Sequence, residues 1–200
     1  MSGDHYFSSS PRGDLKPRTI RVRLAGREVE VDTAAGVFSP GHIDQGTQIL
    51  LRTVPTAPES GDVLDLGCGW GPIALTLALT SPHAKVWAID VNERALDLVR
   101  SNAEKLSIPN IIASLPADIP DQVRFRTIWS NPPIRVGKAE LHRMLDEWLP
   151  RMTPDGDAWL VVAKQLGADS LHRWLEEERG WAVSREETAK GFRVLRVTHA

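Results

Sequence analysis

The sequence predicts an α/β fold: a doubly wound, Rossmann-like sheet of seven strands that ends in an antiparallel C-terminal hairpin, preceded by an N-terminal β-hairpin extension. Three observations carry that reading. From residue 62 onward, short runs rich in Val, Ile and Leu alternate with helical stretches, as βα units of a parallel sheet do. The first run, Asp62-Val-Leu-Asp-Leu, passes straight into Gly67-Cys-Gly-Trp-Gly71, a loop with glycine at every second position. The last two apolar runs have no helix between them, so they must pair as a hairpin at the sheet's edge.

Taken in order, residues 1–17 carry Ser, Pro, Gly and charge without periodicity and read as an arm that Tyr6 and Phe7 could anchor. From Thr19 the chain alternates, with Ile20, Val22 and Leu24 on one face and Arg21 and Arg23 on the other. Ala25-Gly26 supplies a turn, and Glu28 to Val31 returns with Val29 and Val31 facing a core. Between Arg12 and Arg27 six basic residues stand against one acid, Asp14, which suggests either a solvated face or a surface for an RNA backbone. Residues 1–35 therefore form an arm and hairpin, and residues 36–200 the main domain. Asp44 is a candidate N-cap for a short helix with Ile49, Leu50 and Val54 apolar. Strands are expected near 62–66, 85–90, 110–113, 125–130, 157–163, 181–186 and 192–198, and helices near 71–80, 92–105, 138–149 and 167–178.

Two hundred residues with 42% hydrophobic content are enough for one substantial core. A net charge of −2 excludes a wholly basic nucleic-acid binder but leaves room for a local basic face. The single Cys68 excludes an intramolecular disulfide framework, and no Cys/His cluster has metal-ligand spacing. With no signal-peptide core and no long apolar run, a cytoplasmic location is the expectation.

The glycine loop carries the first chemical argument. Gly67, Gly69 and Gly71 permit positive φ and let a ligand approach the backbone, and the helix that follows turns its first N–H groups to the same place. Asp90 closes the next strand, Lys85-Val-Trp-Ala-Ile-Asp90, where a doubly wound sheet puts a carboxylate on ribose hydroxyls. A nicotinamide site would have Gly-x-Gly-x-x-Gly, but Pro72 stands at its last position, and Asp65 before the glycines would repel a pyrophosphate. An acid there can instead accept from the amino group of an amino-acid moiety. Asp-x-Gly-x-Gly-x-Gly with a downstream acid thus suits S-adenosyl-L-methionine better than NAD.

The second informative stretch is Phe125-Arg-Thr-Ile-Trp-Ser-Asn131-Pro132-Pro133-Ile134, a strand ending in a rigid polar turn. Each proline fixes its own φ and holds the residue before it extended. The Asn131 amide oxygen and the Pro132 carbonyl could accept both hydrogens of a planar amino group and draw its lone pair out of conjugation.

Asp65-Leu-Gly-Cys-Gly-Trp-Gly, Ala-Ile-Asp90-Val-Asn92 and Ser-Asn131-Pro-Pro-Ile134, in this order, resemble a class I S-adenosylmethionine-dependent methyltransferase of the N-methylating kind. Gly36-Val-Phe-Ser, Asp44-Gln-Gly-Thr and Lys190-Gly-Phe-Arg-Val-Leu are similar to the methyltransferase small domain of ribosomal-RNA guanine-N2 methyltransferases. The resemblance covers about residues 18–198. It implies that Gly67, Cys68, Gly69 and Gly71 lie against the cofactor, Asp65 near its amino-acid part, Asp90, Val91 and Asn92 around its ribose, and Asp118 beside its adenine. It implies that Asn131, Pro132, Pro133 and Ile134 form the catalytic turn, with Asn131 also beside the cofactor. Ile134 stands where many relatives carry an aromatic, and the larger rRNA enzymes have a further N-terminal domain.

The implied function is methylation of the N2 amine of a guanine in ribosomal RNA, with RNA or a ribosomal subunit as partner and no metal. Methylation of protein glutamine or of a small-molecule amine is the alternative. A non-catalytic RNA-binding or cofactor-sensing module is a third reading, against which Asp65, the glycines, Asp90 and Asn131 all argue.

Overall fold

The computed structural model describes residues 17–133 and 137–200. Two strands, β1 (Arg18–Leu24) and β2 (Arg27–Thr33), form an antiparallel hairpin. Helix α1 (Gln45–Thr53) leads into the main sheet, built from β3 (Ser60–Leu66), β4 (His83–Ile89), β5 (Ile111–Ser114), β6 (Phe125–Ser130), β7 (Met152–Ala163), β8 (Ala182–Ala189) and β9 (Phe192–Thr198). Its spatial order is β5-β4-β3-β6-β7-β9-β8, parallel from β5 to β7, with β9 antiparallel to both β7 and β8. This is the expected doubly wound sheet with its C-terminal hairpin. Helices α2 (Pro72–Thr80), α3 (Glu93–Lys105), α4 (Lys138–Trp148) and α5 (Ala168–Arg173) make the crossovers.

Because strand side chains alternate, each central strand feeds two cores. Leu64, Leu66, Ile89 and Ile128 pack on the face covered by α4 and α5, whereas Val63, Val86, Ala88 and Trp129 pack with α1 and α2. Helix α2, Pro-Ile-Ala-Leu-Thr-Leu-Ala-Leu-Thr, is apolar all round, and a helix of that kind must be covered on every side. Its Ile73, Ala74 and Leu77 face the sheet, and its Leu75 joins Ile20, Leu24, Val31 and Trp70 in a third core beneath the hairpin. The hairpin is therefore the outer wall of α2.

Its charge fits the solvated face, one of the two readings. The basic excess of β1 is met across the hairpin by acids of β2: Arg21 pairs with Glu30 at 3.0 Å and Arg23 with Glu28 at 4.0 Å, and Asp32 accepts from Lys105 at 2.8 Å. Counting only as far as Arg27 missed these partners. Two element boundaries also move. Strand β7 starts at Met152 rather than 157, with Gly156 so close to Phe125 that an added Cβ would lie 2.9 Å from its carbonyl oxygen. The helix expected over 167–178 ends at Arg173 and continues as a π turn over Trp174–Glu178.

The two-residue turn Ala25-Gly26 has φ of 48° and 76°, the left-handed pair of a type I′ hairpin, for which Asn-Gly is the preferred sequence. Ala25→Asn is expected to stabilise the protein by about 1 kcal/mol, the cost of a Cβ in that region which Asn offsets by local hydrogen bonding. A urea midpoint unchanged or lowered would show that the turn carries no such strain.

Candidate active site

The strand order reverses between β3 and β6: the chain runs outward from β3 through β4 to β5, then returns to pair β6 on the other side of β3. Crevices at such reversal points, outside the carboxyl ends of the strands, are where doubly wound sheets bind ligands. Here β3 delivers the glycine loop and β6 delivers the Asn-Pro-Pro turn, joined by a Ser130 hydroxyl that donates to the Leu66 carbonyl at 2.6 Å. Gly67 and Gly69 have φ of 79° and 54°. A Cβ on Gly67 would lie 3.8 Å from Pro133, and one on Gly69 3.9 Å from Phe38, so both open toward the crevice. Gly71, at φ 96°, would instead meet Val99 of α3 at 3.0 Å; it is needed for the turn and for helix packing.

Two acids hold this loop. The Asp65 carboxylate is fully buried; its Oδ2 accepts from the Ala74 N–H in the first turn of α2 at 2.8 Å, capping a helix whose own cap residue is a glycine. Its Oδ1 is buried with no protein partner. Burial, and secondarily the Asp90 charge, push the Asp65 carboxyl well above the usual range, against the pull of the Ala74 N–H. Asp90 accepts from the Gly69 N–H at 3.0 Å and from the Asn92 N–H at 2.9 Å. Its carboxyl is also raised by burial, against the pull of the Asn92, Gly69 and Val91 N–H groups.

On the other wall, the Asn131 amide donates from Nδ2 to Asp44 Oδ2 at 2.9 Å and to Thr47 Oγ1 at 3.0 Å. Asp44 also caps α1, accepting from the Gly46 and Thr47 N–H groups at 2.8 and 3.4 Å. With its donors used, Asn131 keeps Oδ1 as the group available to a ligand. The arrangement presents a hydrogen-bond acceptor, at a strand end, beside a cleft lined by acids.

Residues 28–196 match the family model described as methyltransferase small domain. The chain belongs to that family. The methyltransferase is 33% identical over 196 residues to the uncharacterized protein YbxB of Bacillus subtilis (strain 168), a match covering 96% of this chain and 97% of that one. It is 36% identical over 173 residues to ribosomal RNA small subunit methyltransferase C of Shewanella sp. (strain MR-4), covering 82% of this chain but 49% of the relative. Among solved structures it superposes with a TM-score of 0.78 and 26% identity on the T. thermophilus 16S rRNA N2 G1207 methyltransferase (RsmC) in complex with AdoMet and guanosine, over 96% of this chain and 52% of that one. The chain thus spans about half the length of these rRNA methyltransferases.

The sequence-named residues of this methyltransferase separate by what their atoms are free to do. Gly67, Gly69, Asp90, Asn131 and Pro133 lie at the strand ends that border the crevice, and Asp65 is wholly buried behind the glycine loop. Val91, 51% exposed, follows Asp90, and Asp118 is exposed in the 3-10 turn Pro116–Asp118 after β5. Cys68 is different: its thiol is buried at 3% exposure, and both its N–H and that of Gly67 donate to the Ile89 carbonyl at 2.9 Å. Asn92 is likewise committed, since Oδ1 caps α3 through the Arg94 N–H at 3.1 Å and Nδ2 donates to the Gly36 carbonyl at 3.0 Å. Pro132 is buried and rigidifies the turn. Ile134 lies outside the described residues.

Sequence reasoning missed Asp44 and Thr47 as partners of Asn131; the one signal was the unusual Asp-Gln-Gly-Thr string. It also gave no weight to three exposed lysines. Lys138 is the first residue of α4, Lys164 follows β7 and Lys190 sits in the β8–β9 turn, all exposed, and the Lys164 N–H donates to the Gly191 carbonyl at 2.8 Å.

The Asp65 geometry makes a pH-dependent prediction. Its folded-state pKa is raised above the unfolded value, so its contribution to stability is greatest below about pH 4 and is lost as pH rises toward the folded value. Asp65→Asn removes that loss. The ligand-free variant should be more stable than the parent at pH 7, with the gap closing as pH falls toward 4; denaturation midpoints across pH 4–8 check it, and a pH-independent gap would contradict it.

Proposed function

We propose that this methyltransferase transfers the methyl group of S-adenosylmethionine to the exocyclic N2 amine of a guanine in ribosomal RNA. The orientation of the Asn131 amide carries the reading. Its two donors are held by Asp44 and Thr47, which leaves an acceptor, and an acceptor is what a planar amino group needs if its nitrogen is to pyramidalise and become nucleophilic.

The residues around the crevice fit the cofactor. Asp65 offers a buried carboxylate oxygen without a partner, suited to a ligand ammonium group, directly or through water. Asp90 stands at the end of β4, where ribose hydroxyls are held, and the exposed Val91 and Asp118 border the place for the adenine. When bound, S-adenosylmethionine supplies an electrophilic methyl group. The chain then has to hold the amine in line with it and accept its hydrogens, and such alignment contributes up to roughly 7–11 kcal/mol in favourable systems. Pro132 and Pro133 keep the turn from relaxing away from that alignment.

Support for RNA comes from the relatives' names and from charge. Lys164 and Lys190 are exposed at the carboxyl end of β7 and Lys138 is exposed at the start of α4, cations better suited to a polyanion than those of the hairpin, whose Arg21 and Arg23 are ion-paired.

Asn131→Ala should lower single-turnover methyl transfer by on the order of 10²–10³, while affinity for S-adenosylhomocysteine changes far less. Asp90→Ala should do the reverse and chiefly weaken cofactor binding, by removing both the ribose contact and the brace on Gly69. Nucleoside mass spectrometry of ribosomal RNA from a strain lacking the gene tests the substrate. Loss of N2-methylguanosine is expected; an unchanged nucleoside profile, with a methylated protein glutamine lost instead, would overturn the RNA assignment.

A further inference from the structure

Asp44 Oδ2 is the meeting point of three N–H groups: Gly46 at 2.8 Å, Thr47 at 3.4 Å and Asn131 Nδ2 at 2.9 Å. The first two cap α1. The third reaches the catalytic turn from far along the sequence. An Asn amide has two orientations that fill the same space, and they differ in which group, oxygen or amine, faces a neighbour. The Thr47 hydroxyl does not discriminate between them, since it can accept or donate. An ionised carboxylate can only accept, so a flipped Asn131 would set its oxygen against the Asp44 charge.

We propose that Asp44 is a positioning residue: its charge fixes the polarity of the Asn131 amide so that the oxygen, never the amine, faces the substrate nitrogen. The same charge-assisted hydrogen bond polarises the amide and makes that oxygen a stronger acceptor. Residue 46 is built around this contact. Its φ is ordinary, yet an added Cβ would lie 3.0 Å from Asp44 Oδ2 and 3.0 Å from the Phe192 ring, so any larger residue displaces the carboxylate or the ring. That accounts for Asp-Gln-Gly-Thr as a unit: acid for polarity, glycine for clearance, threonine for the second hydrogen. The proposal rests on reading the site as an amine methyltransferase and adds what enforces its geometry.

Asp44→Asn is the discriminating variant. Asparagine caps helices as well as aspartate, so α1 and the fold should be retained, and the capping oxygen still faces the Asn131 amine, but it has lost the charge that strengthens its hold on that amide. Single-turnover methyl transfer at saturating ligands should fall roughly 10-fold, the effect of removing the charge from a hydrogen bond that is otherwise kept. Cofactor affinity and thermal midpoint should stay at the parent values. In an Asn131→Ala background the same substitution should have no further effect on rate. A parent-like rate for Asp44→Asn, where Asn131→Ala is impaired, would overturn the proposal while leaving the amine reading intact; a parent-like rate for Asn131→Ala would overturn the reading itself. A second measurement is independent of activity. The Asn131 side-chain N–H signals should exchange slowly with solvent in the parent and faster in Asp44→Asn, and fast exchange in the parent would show that no lock exists.

Discussion

The parallel pairing of β3 with β6 is the constraint on which the site depends. It sets Asp65 beside Trp129 in register, so the two strands end together and their following loops share one crevice. The Ser130 to Leu66 hydrogen bond closes the seam at the last residue of each strand. Neither loop is a site alone: the glycine loop offers a backbone turn and the Asn-Pro-Pro segment a rigid acceptor. Only the sheet's reversal of order brings an acid-lined cleft and an oriented amide within a ligand's length of each other.

The three acids of the site are held by N–H groups, with no ion pair to any of them among the described residues. Asp65 is held by one helix N–H, Asp90 by two loop N–H groups, and Asp44 by two N–H groups of α1 and the Asn131 amide. For Asp65 and Asp90 burial outweighs these N–H groups and raises the carboxyl pKa. A ligand bearing positive charge completes the electrostatics.

The sheet was legible in the sequence because its signals are local. Asp62 to Gly71 contains a strand, a turn and a helix start in one reading, and the lack of a helix before Phe192 is itself the evidence for an antiparallel hairpin. What was not legible depends on partners remote in the chain. Nothing near Asn131 announces that its amide is held by Asp44, and nothing near Gly71 announces Val99. Gly71 shows how one motif conceals two causes, since only Gly67 and Gly69 open toward the crevice. Cys68 and Asn92 were placed at the cofactor by proximity in sequence, but a core-facing thiol and a capping amide have already committed their polar atoms. The hairpin's two readings stayed open for a related reason: cross-strand pairing supplies Glu28 and Glu30 from beyond the window in which its basic residues are dense, and the exposed ion pairs fit the solvated face.

The hairpin's place in the argument then follows from α2. A helix whose first turn faces the ligand must not shift, yet α2 has no side-chain cap at its own N-terminus and no polar face to leave in water. Asp65 anchors that end from below, through the Ala74 N–H. The hairpin anchors the opposite flank: Asn102 of α3 donates to the Asp32 carbonyl at 2.9 Å and to the Trp70 carbonyl at 3.2 Å, while accepting from the Asp32 N–H at 2.6 Å. One buried amide therefore ties β2 to the glycine loop. Trp70, within that loop, donates from its indole to the Ser39 carbonyl at 3.2 Å and packs into the core beneath the hairpin. The extension, open in the sequence to a solvated face or a surface for an RNA backbone, is the outer support of the glycine loop. Its exposed ion pairs contribute little to stability compared with the apolar surface that Ile20, Leu24 and Val31 bury against α2 and α3.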